Sequence, residues 1–203
     1  MRPYNQYCPV AHALDLVGER WSLLLVRELQ HGPLRYSDLH DRLAGCSTNV
    51  LASRLRDLET AGVITRRRLP PPAASNVYEL TESGRALGPV IAALARWGLR
   101  TLGPPQGDAA PSPGWLEKAL RTTVAPFAPS ARIGFSIDGE EATLDAGAVV
   151  EGLLDEPDAV VRGTPADLYA LLVDGDTGAA EIDGDRAVIE ALIDALATTQ
   201  PVA

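Results

Sequence analysis

Short polar side chains and arginines between Ser47 and Arg68 have the chemistry needed to contact duplex DNA. Asparagine can pair in bidentate fashion with adenine and arginine with guanine, and small hydroxyl side chains let a helix approach the base edges closely. The first group of such residues is Ser47, Thr48, Asn49, Ser53 and Arg56. A second group, Arg66, Arg67 and Arg68, suits phosphate or minor-groove contact, which adds salt-dependent affinity. We therefore expect both groups to face DNA.

An amphipathic helix is predicted to position the first group. Its apolar residues recur at i, i+4 and i+7, which places them on one helical face: Leu51, Leu55 and Leu58. At about 100° per residue, the side chains of Asn49, Ser53 and Arg56 then fall on the opposite, exposed face. Ser47 or Thr48 can supply the cap at the N-terminus of this helix.

A β-hairpin is predicted after Gly62, which ends the helix. Val63 to Leu69 forms a strand that includes the three arginines, and a second strand follows the proline-rich loop from Pro70 to Asn76, which contains no basic residue. A recognition helix followed by such a wing can read a major groove while the wing contacts phosphate. The alternative is an ordinary solvated helix face followed by a chance run of charge.

Further helices are predicted on both sides of this helix and hairpin. Val10 to Val17 and Trp21 to Leu29 are apolar enough to form the first two, and Ser37 can cap a third. Thr81 can cap a short segment after the wing. Pro89 then opens a longer helix whose apolar stripe consists of Val90, Leu94, Trp97 and Leu102.

The charge of the chain is divided unevenly. Its formal net charge is −9, but residues 1–103 hold 13 Arg against 9 Asp or Glu, a net charge of +4. Residues 104–203 hold 5 Lys or Arg against 18 Asp or Glu, a net charge of −13. Such an asymmetry predicts two modules with different partners. The acidic total therefore does not exclude DNA binding by the first module.

A linker is predicted at residues 104–114, which are rich in Pro, Gly and Ala, between a domain at 1–103 and a second domain at 115–203. In the second domain, two strands are expected to join at the hairpin dipeptide Asp138-Gly139, and a third at residues 159–162. Thr164 can cap a helix, and a closing amphipathic helix begins at Arg186. The predicted second module is α+β, with helices around a small, mostly antiparallel sheet.

Several short pieces of the first half resemble the HxlR branch of the MarR-like winged-helix transcription regulators. They are Cys8-Pro9, Gly18-Glu19-Arg20-Trp21, Arg35-Tyr36, LASRLRDLETAGVI at 51–64, Tyr78-Glu79-Leu80-Thr81 and Trp97-Gly98. The resemblance implies a homodimer, built mainly from the N-terminal segment and the helix from Pro89. Each protomer would present one winged helix to a half-site of a pseudo-palindromic operator in double-stranded DNA.

The second half resembles the sterol-carrier-protein type of α/β domain. The matching pieces are DAVVRGTPADL at 158–168, Leu171-Leu172 and Glu181-Ile182-Asp183-Gly184-Asp185. This resemblance implies a cavity for a lipid-like or other apolar small molecule, with candidate lining residues Trp115, Leu116, Phe127, Phe135 and Tyr169. The predicted fold class is thus α+β: an N-terminal winged helix-turn-helix domain plus a C-terminal α/β sterol-carrier-like domain. A purely structural C-terminal module, for oligomer or partner contacts, is the alternative.

The two cysteines, Cys8 and Cys46, are too few for a disulfide framework. Cys8 matches a position at which some relatives of the HxlR type sense oxidants, and a response to thiol oxidation there is an alternative to a ligand. A small buried residue that anchors the N-terminal segment is the simpler interpretation. His12, His31 and His40 show no metal-ligand spacing with either cysteine, so no metal and no cofactor are expected.

Enzymatic and membrane functions are not favoured by the sequence. It contains no G-x-S-x-G or comparable nucleophile motif, and the second half shows no polar catalytic set. The longest apolar runs fall short of the roughly 18–20 residues that span a bilayer, and the N-terminus lacks the apolar segment of a signal peptide. We therefore expect a cytoplasmic protein that is not an enzyme and has no membrane partner.

Overall fold

The computed structural model describes residues 3–72, 74–104 and 114–198. The chain divides into two compact units, Met1–Ile91 and Ala92–Ala203. Of the predicted linker at 104–114, residues 105–113 lie outside the described residues, so the boundary at that linker stays a prediction.

The first unit has the predicted order of helices followed by a hairpin. Its helices are α1 (Pro9–Val17), α2 (Ser22–Leu29), α3 (Tyr36–Arg42), α4 (Thr48–Thr60) and α5 (Glu82–Arg85). Strands β1 (Ile64–Arg68) and β2 (Asn76–Leu80) form an antiparallel hairpin. Leu34 extends this hairpin, because its backbone N–H and carbonyl both bond to Tyr78, at 3.0 and 2.8 Å. Helix α6 (Gly88–Leu102) crosses the division between the two units.

The core of the first unit forms around the predicted apolar face of α4. Leu51, Leu55 and Leu58 are all at most 2% exposed, which confirms their shared buried face. They pack with buried residues of the neighbouring elements, among them Leu25 of α2, Leu39 of α3 and Ile64 of β1. Each such side chain contributes about 1.5–3 kcal/mol by burial. The core therefore holds α4 by its leucine face, and the opposite face of the helix is exposed.

Three predicted caps are confirmed, those of Ser47 and Thr81 and, in the second unit, that of Thr164, and one is wrong. Ser47 caps α4 and Thr81 caps α5, since their hydroxyl oxygens accept from the N–H of Val50 and of Gly84. Ser37 does not cap α3, because it lies inside the first turn, where its hydroxyl bonds to Asp38. The Asp38 carboxylate instead reaches back to the backbone N–H of Arg35, 3.0 Å away, and so begins the helix two residues earlier.

The second unit is α+β, as predicted. Its helices are α7 (Trp115–Ala119), α8 (Pro165–Tyr169) and α9 (Arg186–Thr198). Helix α7 continues into a π-helical turn at Leu120–Val124 and a 3-10 turn at Ala125–Phe127, and α8 continues into a π-helical turn at Ala170–Asp174. Its strands are β3 (Arg132–Ile137), β4 (Glu140–Asp145), β5 (Ala148–Glu151), β6 (Ala159–Gly163) and β7 (Glu181–Gly184). The sheet order is β5-β4-β3-β6-β7, and among these pairs β3–β6 is parallel while the others are antiparallel.

The two faces of this sheet have different coverings. Alternate residues of β3, including Ile133 and Phe135, join the helices in one apolar core. On the other face, a Cβ built at Gly134 would lie 2.9 Å from the Cδ2 atom of Leu153, so a larger residue there would require the leucine side chain to shift. The predicted hairpin turn at Asp138-Gly139 is confirmed, and both residues have positive φ, as this tight turn requires.

Candidate nucleic-acid interface

The N-terminal end of α4 combines a capped helix terminus with small polar side chains. Ser47 is the cap residue, and its Oγ accepts from the backbone N–H of Val50 at 3.4 Å. Thr48 and Asn49 follow in the first turn, and all three side chains are exposed. The N-terminus of a helix has a partial positive charge, which favours nearby phosphate. This end of α4 can therefore approach the DNA backbone and the base edges together.

The outward face of α4 continues this polar surface. Arg56 is exposed and Ser53 is partly exposed, on the side of the helix away from its buried leucines. The predicted base-contact residues Asn49, Ser53 and Arg56 are thus brought onto one face. Arg56 makes no ion pair with the described residues, so its guanidinium remains available for a base or a phosphate.

Helix α3 contacts the same end of α4. The phenolic O–H of Tyr36 donates to the backbone carbonyl of Thr48 at 2.9 Å. Since Tyr36 and Thr48 are the first residues of their helices, the bond joins the two N-terminal ends. The sequence interpretation did not include this contact, although the Arg35-Tyr36 pair had been singled out for its resemblance.

The wing separates its three arginines into two kinds. Successive strand residues point to opposite faces, so Arg66 and Arg68 share a face that Arg67 does not. Arg67 forms a two-point contact with Glu79 of β2, with Nε–Oε1 and Nη2–Oε2 distances of 3.1 and 2.9 Å. These hydrogen bonds lower the pKa of the Glu79 carboxyl and raise that of Arg67, so both groups stay charged and paired. Arg66 and Arg68 are exposed, and no carboxylate pairs with them in the described part of the chain.

The other arginines of the first unit divide in the same way. Several are engaged within the fold: Arg27 and Arg42 with Glu28, Arg54 with Glu19 and Asp57, and Arg85 with the carbonyl of Leu80. Two further arginines, Arg20 and Arg35, are exposed and make no ion pair within the described ranges. Sequence reasoning did not include them in the interface. The sequence analysis places four arginines at the interface: Arg56, Arg66, Arg67 and Arg68. The net positive charge of residues 1–103 indicates that further arginines are exposed as well.

The two cysteines lie in different environments. Cys46 is buried just before α4, and burial raises the pKa of its thiol, while Arg20 and Arg54 act in the opposite direction. Cys8 is half-buried at the cap position of α1, and both thiols are free. A role of Cys8 in redox sensing stays a prediction.

The candidate ligand residues of the second unit do not share one environment. Leu116 and Phe135 are fully buried within the core, Trp115 and Phe127 are half-buried against it, and Tyr169 is half-buried on α8. A separate depression beside α7 is lined by Glu117, Glu140, Glu141, Glu151 and three glycines. There the Glu140 carboxylate accepts from the backbone N–H groups of Gly114 and Leu116, at 2.8 and 3.0 Å, and so caps α7. Four glutamates and three glycines line this depression, and no aromatic or branched aliphatic side chain is among its lining residues.

Among the described residues there is neither a group suited to metal binding nor a helix suited to membrane insertion. There, no three or more His, Cys, Asp and Glu side chains are grouped so as to hold a metal ion. In the same ranges, no helix is both long and apolar enough to cross a membrane.

Comparison with known proteins identifies the first part of the chain. A family described as HxlR-like helix-turn-helix matches residues 16–105. An uncharacterized HTH-type transcriptional regulator of Synechocystis is 44% identical over 91 residues, which are 45% of this chain and 67% of the relative. The HTH-type transcriptional regulator YodB of Bacillus subtilis is 34% identical over 94 residues, which are 46% of this chain and 84% of that protein.

A further relative and one solved structure are also similar to this part of the chain. The uncharacterized HTH-type transcriptional regulator YvaP of Bacillus subtilis is 33% identical over 101 residues, which are 49% of this chain and 94% of the relative. The solved structure of reduced YodB from B. subtilis has 33% sequence identity and a TM-score of 0.42, and covers 46% of this chain and 92% of that chain. The relatives are named as transcriptional regulators, which speaks against an enzyme. The chain therefore belongs to the HxlR-like helix-turn-helix family of transcriptional regulators.

Proposed function

We propose that the chain binds a pseudo-palindromic operator in double-stranded DNA as a homodimer, with α4 in the major groove and the β1–β2 wing on the backbone. The observation that supports this best is the exposed polar face of α4. It lies in the same unit as a wing in which Arg66 and Arg68 form no ion pair with the residues that the structure describes. Asn49, Ser53 and Arg56 read bases, and Ser47 and Thr48 contact the backbone at the helix N-terminus.

The wing contributes phosphate contacts through Arg66 and Arg68. Because Arg67 is already paired with Glu79, its charge is largely compensated within the hairpin. Arg67 therefore adds less to DNA affinity than its two neighbours do. The sequence alone predicts phosphate contact by all three arginines, whereas the pairing of Arg67 leaves Arg66 and Arg68 as the principal contacts.

Dimerisation uses the apolar residues that the fold leaves exposed on α1 and α6. Val10 of α1 is 68% exposed, and Tyr4 and Tyr7 before it are also exposed. On α6 the predicted stripe is exposed as well: Val90, Leu94, Trp97 and Leu102. Large apolar side chains that remain exposed often mark an interface, and this holds for the residues before and on α1 and, separately, for the stripe on α6. A second copy of the chain supplies the symmetric partner that a two-fold operator requires.

Selection of DNA by the full-length chain tests this function. A library of randomised duplexes is passed over the protein, and the enriched sequences are measured by fluorescence anisotropy and by hydroxyl-radical footprinting. We expect an enriched inverted repeat, protection of two half-sites about one helical turn apart, and a loss of affinity of tenfold or more in Arg56→Ala. Enrichment of no sequence, or unchanged affinity and base preference in Arg56→Ala, contradicts the proposal.

For the second unit we propose a ligand-responsive module of the sterol-carrier type, which takes an apolar small molecule. Two features support it. Trp115, Phe127 and Tyr169 are half-buried beside the helices that cover the sheet, and both α7 and α8 continue into π-helical turns. Such turns are rare and are often found at functional sites. Ligand binding would favour one placement of the two recognition helices and so change operator affinity.

A thermal-shift experiment separates this proposal from a purely structural module. Palmitic acid, a C16 alcohol and a sterol serve as probes, since a ligand that binds the folded state raises Tm in proportion to the logarithm of its concentration. We expect a saturable rise for at least one probe, reduced in Phe127→Ala and retained in the control Val150→Ala on β5. No rise with any of the three probes favours the structural alternative.

A further inference from the structure

We propose that the ion pair between Glu19 and Arg54 is a positioning contact, which sets the orientation of α4 relative to α1 and thereby the half-site spacing that the dimer accepts. The inference rests on the proposed function, because it concerns how the same DNA-reading helix is held. Neither residue is assigned to DNA contact. Their role would be to fix where the contacting residues lie.

The side chain of Arg54 joins α4 to a different part of the first unit. Its Nη1 atom lies 2.9 Å from Oδ2 of Asp57, one turn further along the same helix, and 3.6 Å from Oε2 of Glu19. Glu19 belongs to the turn between α1 and α2. The Arg54 side chain is 18% exposed, so its guanidinium is held largely within the protein surface. One arginine therefore has a partner within its helix and a partner outside it.

The turn that contains Glu19 is bonded to the last turn of α1. The backbone N–H of Gly18 bonds to the carbonyl oxygen of Leu14 at 2.8 Å, and a Cβ at Gly18 would collide with that oxygen. Trp21, which precedes α2, has a φ of 81°, a left-handed conformation that a bulky residue adopts only when its surroundings enforce it. The turn therefore holds Glu19 in a defined place relative to the end of α1.

The same turn also contacts the entry to α4. The Trp21 ring lies 3.9 Å from the position that a Cβ of Gly45 would occupy, two residues before the cap Ser47. Arg20 lies over the same Trp21 ring, with its guanidinium carbon 5.3 Å from the ring centroid. The turn thus meets the segment before α4 through Trp21 and meets the body of α4 through Glu19. Two separated contacts fix an orientation, which one contact cannot do.

The two carboxylates that pair with Arg54, those of Glu19 and Asp57, have different consequences for α4. Partly exposed ion pairs contribute little to stability, and the shorter of these two, with Asp57, lies within α4 and cannot set its relation to another element. The longer pair, with Glu19, connects α4 to the turn that follows α1, the helix that bears the exposed residue Val10. One base pair of half-site spacing corresponds to about 3.4 Å and roughly 35° of rotation around DNA. A small change in the angle of α4 therefore changes which spacing fits.

The test compares Glu19→Gln with Asp57→Asn, because each variant removes one carboxylate from the same guanidinium. Operators obtained with the wild-type protein are rebuilt with the half-site separation changed by one and two base pairs in either direction. Affinity for each, and for a single half-site, is measured with the full-length chain. In Glu19→Gln we expect the preference for the best spacing over its neighbours to fall at least fivefold, with single half-site affinity within twofold of wild type.

A double-mutant cycle with Arg54→Gln tests whether Glu19 acts through Arg54, and Arg54→Gln removes the same ion pair if Glu19→Gln is unstable. Glu19→Gln should have no further effect on spacing preference in the Arg54→Gln background, and Asp57→Asn should retain the wild-type preference. An unchanged preference in Glu19→Gln, or an equal loss in Asp57→Asn, overturns the positioning role while leaving DNA binding intact. If the wild-type protein selects no operator at all, the proposed function itself fails, which is a distinguishable result.

Discussion

The phenolic oxygen of Tyr36 lies 2.9 Å from the backbone carbonyl oxygen of Thr48, and this hydrogen bond joins the N-terminal ends of α3 and α4. Two residues before Tyr36, Leu34 pairs with Tyr78 in the second strand of the wing. The short segment from Leu34 to Tyr36 therefore touches both elements that we propose to contact DNA. Its contacts hold the helix and the wing at a fixed separation.

Removal of the Tyr36 hydroxyl should weaken both stability and DNA binding. Tyr36→Phe loses one hydrogen bond to a backbone carbonyl, so we expect the free energy of unfolding to fall by about 1 kcal/mol. Operator affinity should fall by about threefold to tenfold, because the N-terminus of α4 gains freedom that binding must remove. Urea denaturation and anisotropy measure the two effects. Tyr78→Phe is the matched control, and equal losses in both variants would contradict a special role for Tyr36.

The cap of α4 should contribute measurably to stability. Ser47→Ala leaves the N–H of Val50 without its side-chain acceptor, and a lost cap costs about 0.5–2 kcal/mol. Ser37→Ala should change the free energy of unfolding by less than about 0.5 kcal/mol, since Ser37 is exposed and is not a cap. Urea denaturation of both variants checks the difference. A larger effect at Ser37 than at Ser47 would mean that the cap assignments are reversed.

A charged residue introduced on the exposed apolar surface of α1 or α6 should prevent the proposed dimerisation. Val10→Glu on α1 and Trp97→Glu on α6 replace side chains that are 68% and 67% exposed, so the fold of the protomer should be retained. A buried, unpaired carboxylate at the interface costs several kcal/mol, which raises the dimer dissociation constant by a hundredfold or more. Sedimentation velocity across a concentration series measures the change. Val150→Glu, at an exposed position on β5, is the control and should sediment as wild type does.

The capping box of α8 should make stability depend on pH in the acid range. The Asp167 carboxylate accepts from the backbone N–H and the hydroxyl of Thr164, both at 2.8 Å, and these bonds lower the pKa of Asp167. A carboxyl whose folded pKa lies below its unfolded value, about 3.9, stabilises the fold above that value. This contribution is lost as the pH falls through the folded pKa.

Unfolding of wild type and of Asp167→Asn at several pH values measures this contribution. We expect the difference in the free energy of unfolding between them to be constant above about pH 5 and to shrink progressively below about pH 4. A difference that stays constant down to pH 2 would show that Asp167 does not titrate in the folded state as its hydrogen bonds require.

The local patterns of the sequence are sufficient to predict most of the helices and strands. Period 3.6 in α4 and the turn dipeptide Asp138-Gly139 both specify structure through neighbours along the chain, and both were predicted correctly. The start of α3 differs from the prediction, because a serine predicts a cap at Ser37, whereas the Asp38 side chain reaches back to the backbone N–H of Arg35. Strand β5 was also not predicted, since its four residues show no distinctive pattern.

The pairing of charges could not be predicted in the same way. Which arginine of the wing faces Glu79 depends on the hairpin register, and a slip of one residue would have exchanged Arg67 for its neighbours. The contact between Glu19 and Arg54 joins residues far apart in the sequence, so no local spacing indicates it. In the second unit, alternation along β3 identifies Phe135 as inward, but not whether it lines a cavity or completes a packed core.

The salt dependence of operator affinity in two wing variants tests the DNA-reading assignment most directly. Affinity is measured between about 50 and 200 mM salt, where each phosphate contact contributes roughly 0.9 to the slope of log K against log salt concentration. Arg66→Ala combined with Arg68→Ala should reduce the slope of a dimer by about 3 to 4. Arg67→Ala should change it by less than about 1 per dimer, because Glu79 already compensates that charge. A wild-type slope in the double variant, or an equal reduction in Arg67→Ala, would contradict the account.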